Sequence, residues 1–185
     1  MPRDKQEARQ RLLQAALELF AEHGFEATTA AQIAARAGVT ERTFFRHFPD
    51  KREVLFDGQA ALATALSAAI AAAPPGASPM ATLRHAFAEV SPMLEQNRRF
   101  SEPRRRIIAV TPALQEREVA KYAALRRIVA GALQARGVEA RRAELAAYVG
   151  LGVLGHALEA WFDDPAAGLQ NQIKRAFSEL QDLSA

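Results

Sequence analysis

The feature that most constrains this chain is a break placed between two short helical runs. From Thr28 to Phe48 the sequence reads TTAAQIAARAGVTERTFFRHF. Ile33, Ala34 and Ala37 recur at helical spacing, Gly38 interrupts them, and Thr40 restarts the pattern as an N-cap. Pro49 blocks continuation, because it has no N–H to donate and disfavours helix at the residue before it. Phe44 and Phe48 lie one turn apart and share an inward face. With Ile33 and Val39 they form a wedge, and Glu41, Arg42, Phe45 and Arg46 are left pointing elsewhere. The pattern is that of a helix-turn-helix, with Ala34 small where the two helices cross and Gly38 able to take a positive φ at the turn.

Similar punctuation runs through the rest of the chain. A first helix is expected after Asp4, with Glu7 as its capping-box partner, ending at Gly24. A fourth, capped by Asp50, is expected to run to about Ala73. PPGASP (74–79) reads as a linker, and Ser78–Pro79 starts a fifth helix that Pro92 should kink or break. NRRFSEPRRR is a basic turn into a short helix carrying Ile107 and Ile108. Thr111–Pro112 opens a long helix closed by Gly137. An eighth is expected over about Glu139 to Phe162 and a ninth over about Ala166 to Leu183. Apolar residues make up 49% of the 185, enough to bury a core, and the abundance of alanine favours helix over strand. The expected fold is all-α with about nine helices. A helix-turn-helix domain would cover residues 1–50 and a second helical domain 51–185, joined by the helix from Asp50 to about Ala73.

The eighth helix carries apolar residues on two sides. Leu145, Tyr148, Val149 and Gly152 form one stripe; Ala147, Leu151, Leu154, Leu158 and Trp161 form the other. A helix apolar on both sides is covered on both sides. The simplest second cover is the same helix of a twin chain, and either stripe could meet it; a homodimer interface is expected at Leu151, Leu154, Leu158, Ile173, Phe177 and Leu180. Full burial in a monomer is the alternative.

A short helix presented by such a wedge fits the major groove of DNA, about 12 Å wide. Arg42 can pair with guanine O6 and N7. Thr43 and Phe45 can touch thymine methyls or sugars. Thr29, Thr40, His47 and Lys51 sit near helix starts or rims, where phosphate contacts belong. An ordinary helical hairpin with a solvated charged face would show the same spacing. The charge pattern adds support: 24 Lys and Arg against 21 Asp and Glu leave a net +3. Arg36, Arg42, Arg46, Lys51 and Arg52 gather around the second short helix.

The stretch ALELFAEHGFEATTAAQIAARAGVTERTFFRHFPDKREVLF, Ala16 to Phe56, resembles the N-terminal domain of the TetR family of transcriptional regulators. The matching pieces are Phe20–Gly24–Phe25, Thr28–Thr29, Ile33–Ala34, Ala37–Gly38–Val39, Thr43–Phe44–Phe45, His47–Phe48, Lys51 and Leu55. The remainder matches only in outline, as helices of variable sequence. The resemblance implies a cytoplasmic homodimeric regulator that binds a near-palindromic DNA operator, most simply as a repressor released by a small-molecule inducer. An activator of the same fold, or a helical interaction module that has lost DNA binding, are the rival readings. It also implies that some of Phe87, Met93, Phe100, Tyr122, Tyr148 and Trp161 face the ligand; plain core packing is the alternative for each. One departure stands out: similar proteins commonly have tyrosine where this chain has Phe45, which cannot bond a phosphate. Arg46 beside it can take over that contact.

Other signals point elsewhere. GLGVLG (150–155) matches a dinucleotide fingerprint by letter, yet the residues before it read as helix and no acid follows at the right distance, so no cofactor is expected. Small residues there suit the close approach of another helix. His156 and Glu159 are two ligands without a third, and no metal site is expected. No nucleophile has a recognisable base partner, so the chain is not expected to be an enzyme. The five arginines of NRRFSEPRRR fit a solvated face, an ion-pair role, a DNA contact or an anion site. The absence of cysteine suits a reducing compartment. The N-terminus is too polar for a signal peptide, and the apolar run Ala143 to Phe162 carries Glu144, His156 and Glu159, so no membrane partner is expected.

Overall fold

Ten α-helices and one short 3-10 turn, with no strand, make up the described residues. The computed structural model describes residues 2–183, and side chains over 6–183. In chain order the helices are α1 (Pro2–His23), α2 (Ala30–Arg36), α3 (Glu41–His47), α4 (Lys51–Val54) and α5 (Gln59–Ala72). They continue with α6 (Pro79–Gln96), α7 (Arg98–Ala109), α8 (Pro112–Ala135), α9 (Ala140–Asp163) and α10 (Leu169–Leu183). The expected cap at Asp4 falls on a side chain outside the described ones, where the backbone is already helical.

The chain separates into two compact units. The first holds the residues up to Gln59 together with Asn97–Val119; the second holds Ala60–Gln96 and the residues from Ala120 onward. In the first, Leu12, Phe20, Ile33, Phe44, Phe48 and Leu55 are buried in one core. Ile107 and Ile108 of α7 and Leu114 at the start of α8 complete it. In the second, Leu66 and Ile70 of α5 and Leu83 and Phe87 of α6 pack with Leu133 of α8, Leu151 and Trp161 of α9, and Ile173 and Phe177 of α10.

The helix expected to run unbroken from Asp50 to about Ala73 is two helices. α4 ends after one turn at Val54, and α5 begins at Gln59. Gly58 stands between them at φ +88°, outside any right-handed helix. Tertiary partners hold the break. The Arg104 guanidinium donates from Nε to the Leu55 carbonyl at 2.6 Å and pairs with Glu118 at 3.0 Å. Arg9 donates from Nε to both oxygens of Asp57 at 2.8 Å, and Asp57 in turn accepts the Gly58 N–H at 3.0 Å. A leucine-and-alanine pattern does not disclose partners fifty residues away.

Pro92 does not break α6, which continues to Gln96. The proline leaves the carbonyl of Ala88 without its usual amide donor. Ser91 donates its hydroxyl to that oxygen at 2.8 Å. The last helix starts later than expected. Pro165–Ala167 forms a 3-10 turn, Gly168 reverses the chain at φ +72°, and α10 begins at Leu169. Glu95 accepts the Leu169 N–H at 2.8 Å, a carboxylate meeting one of the orphan amides of a helix start.

α9 is long and apolar enough to cross a membrane by length and composition alone. Nearly half of its most apolar window is buried inside its own unit. Gly150 shows how tightly: a Cβ there would run into Leu83 of α6. That glycine permits the close helix approach read from GLGVLG, whereas Gly152 and Gly155 face open space. The stripe assigned to a partner chain lies inward. Leu151, Leu154, Ile173 and Phe177 are buried in the core of their own unit, with Leu158 and Leu180 half-buried against it. The exposed stripe is the other one, with Leu145, Tyr148 and Gly152.

Gly58→Ala imposes a left-handed conformation on a residue with a Cβ while meeting no neighbour within 4 Å. It should lower stability by about 1–2 kcal/mol, read as a shifted urea midpoint with an unchanged slope.

Candidate nucleic-acid interface

The interface begins with the turn. Gly38 at φ +67° lets its N–H donate to the Ala35 carbonyl at 3.1 Å, and the Val39 N–H donates to Ala34 at 3.0 Å. Thr29 caps α2 through a full capping box: its hydroxyl oxygen accepts the Gln32 N–H at 3.2 Å, and Gln32 Oε1 accepts the Thr29 N–H at 2.8 Å. Thr28 turns inward and donates its hydroxyl to the Gly24 carbonyl at 2.8 Å. Thr40 caps α3, accepting the Thr43 N–H at 3.2 Å.

α3 has one buried face. Phe44 is 0% exposed and Phe48, just past its end, is 2% exposed, their ring centroids 5.8 Å apart. Phe45 is 51% exposed and meets Phe44 edge-on at 5.3 Å. Glu41, Arg42 and Arg46 are exposed; Thr43 and His47 are half-buried. Among the described residues Arg42 and Arg46 make no hydrogen bond or ion pair. Two cations and a half-exposed phenyl ring thus stand together on one side of a seven-residue helix.

Several other cations of this unit are committed. Arg36 grips Glu22 with two parallel bonds of 3.0 and 2.8 Å, tying α2 to α1. That hydrogen-bonded pairing raises the Arg36 pKa and lowers that of Glu22. Arg52 pairs with Asp50 at 3.0 Å. Burial pushes the Asp50 carboxyl up, but Arg52 and the N–H groups of Glu53 and Arg52 outweigh it, and the net shift is downward. In the NRRFSEPRRR cluster, Arg98 and Arg106 both pair with Glu102, at 2.9 and 2.6 Å. Arg104 reaches under the α4–α5 break, with Phe56 beneath its guanidinium at 5.0 Å. Burial lowers its pKa against the opposing pull of Glu118.

Lys51 departs most from its expected role. Its ammonium donates to the carbonyls of Phe25 at 2.7 Å, Thr28 at 2.9 Å and Glu26 at 3.2 Å, and lies 4.3 Å from the Phe25 ring. An ammonium has three N–H donors. All three meet the α1–α2 turn, so none is left for a phosphate. The signal that sequence reading missed is the α1–α2 turn itself, whose carbonyls at Phe25, Glu26 and Thr28 lie outside either helix and draw a nearby ammonium.

The second unit has a groove of about 580 Å³ between α8 and α9, lined by Arg126, Arg127, Ala130, Gly131, Gln134, Glu144, Leu145 and Tyr148. Of the six residues expected around a ligand, only Tyr148 lines it. Phe87 and Trp161 belong to the core, Met93 is half-buried on α6, and Phe100 packs on the core of the first unit. Tyr122 stands near Tyr148, its phenol pKa raised by burial and then by that neighbour. His156 meets Glu179 of α10 at 3.1 Å. No group of three metal-ligating side chains occurs among the described residues.

A wedge-mounted helix with an outward cationic face defines a helix-turn-helix DNA reader of the bacterial regulator type. Residues 12–57 match the profile of the bacterial regulatory proteins of the tetR family, and residues 77–184 match that of the MftR C-terminal domain. The chain belongs to the TetR family of transcriptional regulators. TcmR of Streptomyces glaucescens, an HTH-type transcriptional regulator, is 43% identical over 82 residues, a stretch covering 44% of this chain but 36% of that protein. A Mycobacterium tuberculosis protein named as the mycofactocin biosynthesis transcriptional regulator MftR is 27% identical over 165 residues, 88% of this chain and 83% of that one. A transcriptional regulator from Pseudomonas aeruginosa PAO1 superposes with a TM-score of 0.66 at 20% identity, covering 95% and 89% of the two chains. The Thermus thermophilus FadR, a TetR family transcriptional repressor in complex with lauroyl-CoA, superposes with a TM-score of 0.56 at 25% identity, covering 94% and 93%.

Lys51→Met should destabilise the chain by about 1.5–3 kcal/mol, the worth of hydrogen bonds from a charged donor. DNA affinity should fall while the slope of log affinity against log salt stays unchanged. A slope shallower by about 0.9 would return Lys51 to a phosphate.

Proposed function

We propose that this chain is a ligand-responsive repressor that binds a near-palindromic operator as a homodimer in the cytoplasm. The observation that carries the reading is the outward face of α3, where Arg42 and Arg46 are exposed and make no hydrogen bond or ion pair among the described residues. Leaving two guanidinium groups uncommitted beside so many paired ones suits a polyanion. Arg42 pairs with a guanine edge, Thr43 and Phe45 touch thymine methyls or sugars, and Arg46 meets a phosphate. Thr29, Thr40 and His47 lie at the rims, with the two threonine hydroxyls already holding helix starts. In a two-fold dimer the two readers stand about 34–36 Å apart, one turn of the duplex. The division of labour is a DNA-reading N-terminal part and a ligand-binding, dimerising remainder. A relative 44% identical over 55 residues is named a repressor, and the FadR structure is a repressor holding an acyl ligand. To release DNA, an inducer must favour one conformation by its own differential affinity, by a few kcal/mol.

A gel shift against the DNA flanking the gene for this chain, repeated at rising salt, tests the reading. Arg42→Ala should cost about 1–3 kcal/mol and relax specificity at one base pair. Equal loss on every sequence would make Arg42 a phosphate contact instead, and absence of any shift would leave an interaction module.

The surface that supports dimerisation is the outward side of α9 and α10. Gly152 is exposed with nothing within 4 Å of its Cβ position, and His156, Glu179 and Arg175 form a polar row beside it. The Cβ of Gly152→Glu has open space around it, so the variant should yield a folded monomer by sedimentation with undiminished helicity. A dimer that survives the charge would place the twofold contact elsewhere.

A further inference from the structure

Many arginines of this chain are bonded through their side chains. Arg9, Arg36, Arg52, Arg104, Arg117 and Arg175 each pair with a carboxylate, and Arg136 donates to the carbonyls of Ala71 and Pro74. Arg126 and Arg127 are successive on α8, and neither makes a hydrogen bond or ion pair among the described residues. Both line the groove between α8 and α9. The Arg126 guanidinium lies 5.1 Å from the centre of the Tyr148 ring, and its N–H donors have no hydrogen-bond acceptor among the described residues.

Beside Gln134 and Glu144, the rest of the groove lining is apolar or aromatic. Leu145 is 64% exposed and Tyr148 61% exposed, one turn apart on α9. Ala130 and Gly131 line the α8 side, and a Cβ at Gly131 would meet nothing within 4 Å. The volume of about 580 Å³ falls within the roughly 300–1,000 Å³ of small-molecule sites. Two arginines against Glu144 leave the lining with a net charge of +1, and the acid stands on the α9 wall, away from the paired cations on α8.

We propose that the α8–α9 groove binds an amphipathic organic anion. Its apolar body lies on Leu145, Tyr148, Ala130 and Gly131, and its acidic head meets the guanidinium groups of Arg126 and Arg127. Glu144 turns the head towards the α8 wall. The assignment deepens the ligand-responsive reading above and rests on it.

The full-length chain is titrated with anilinonaphthalene sulfonate and with phenyl-naphthylamine, which has the same rings without the sulfonate, each followed by fluorescence. One saturable site per chain that prefers the sulfonate is expected. Gly131→Leu fills the groove with a better helix former and should weaken both dyes by about tenfold or more without lowering Tm. The double variant Arg126→Gln/Arg127→Gln should cost the sulfonate about tenfold and leave the neutral dye unchanged, removing the preference for charge. Unaltered binding to Gly131→Leu, or equal losses of both dyes in the arginine variant, overturns the proposal. So does a Gly131→Leu chain that changes its sedimentation but not its dye binding, which would make the groove a seam between two copies. Operator-bound chain supplies the separating arm. Release by the sulfonate dye from wild type and Gly131→Leu alike would keep the regulator ligand-responsive and refute the groove. Groove binding in wild type without any release would keep the site and refute the responsive reading.

Discussion

The burial of Phe44 and Phe48 against Ile33 governs what this protein can present to a partner. α3 is seven residues long and too short to persist on its own backbone hydrogen bonds. Its existence and its rotation about its axis are set by the two rings it must hide. Once those rings point inward, helical geometry leaves Arg42, Phe45 and Arg46 outside. The wedge also ties neighbouring parts together. Arg9 lies 4.7 Å from the centre of the Phe48 ring while bonding Asp57, so one α1 side chain meets both the end of α3 and the turn after α4. Ile107 and Ile108 of α7 close the same core from far along the sequence.

A second theme is the uneven use of positive charge. A guanidinium held by two parallel bonds to a carboxylate, as Arg36 is by Glu22, has its donors already engaged. Lys51 spends its donors on three backbone carbonyls and becomes a fastener of the α1–α2 turn. Arg104 holds a carbonyl at a helix break. Counting basic residues would treat all of these as equivalent to Arg42 and Arg46. Bonding separates them. In the second unit Arg126 and Arg127 are likewise unbonded, and what sets them apart from the equally unbonded Arg84 and Arg141 is that both line the α8–α9 groove.

Helix-breaking residues show how local signals are overruled. Pro92 carries an intrinsic cost in a helix interior, but one neighbouring hydroxyl satisfies the carbonyl it strands. Gly58 looks tolerable inside an apolar pattern, yet it takes a positive φ because Arg9, Asp57 and Arg104 stabilise the turned chain around it. The stronger breaker was bridged, and the weaker one became a boundary.

The all-helical class, the turn at Gly38, the caps at Thr29 and Thr40, and the inward pair Phe44 and Phe48 were all legible in the linear order of residues. Each depends on neighbours within about four positions, where backbone periodicity and capping act. Tertiary structure alone decided which stripe of α9 is buried, where the helix after Asp50 divides, that Lys51 faces carbonyls, and that Tyr148 parts company with Phe87 and Trp161. In those cases two arrangements satisfy local rules equally well. Contacts between residues distant in the chain, such as Leu83 against Gly150 or Arg104 on Leu55, choose between them, and periodicity holds no record of such partners.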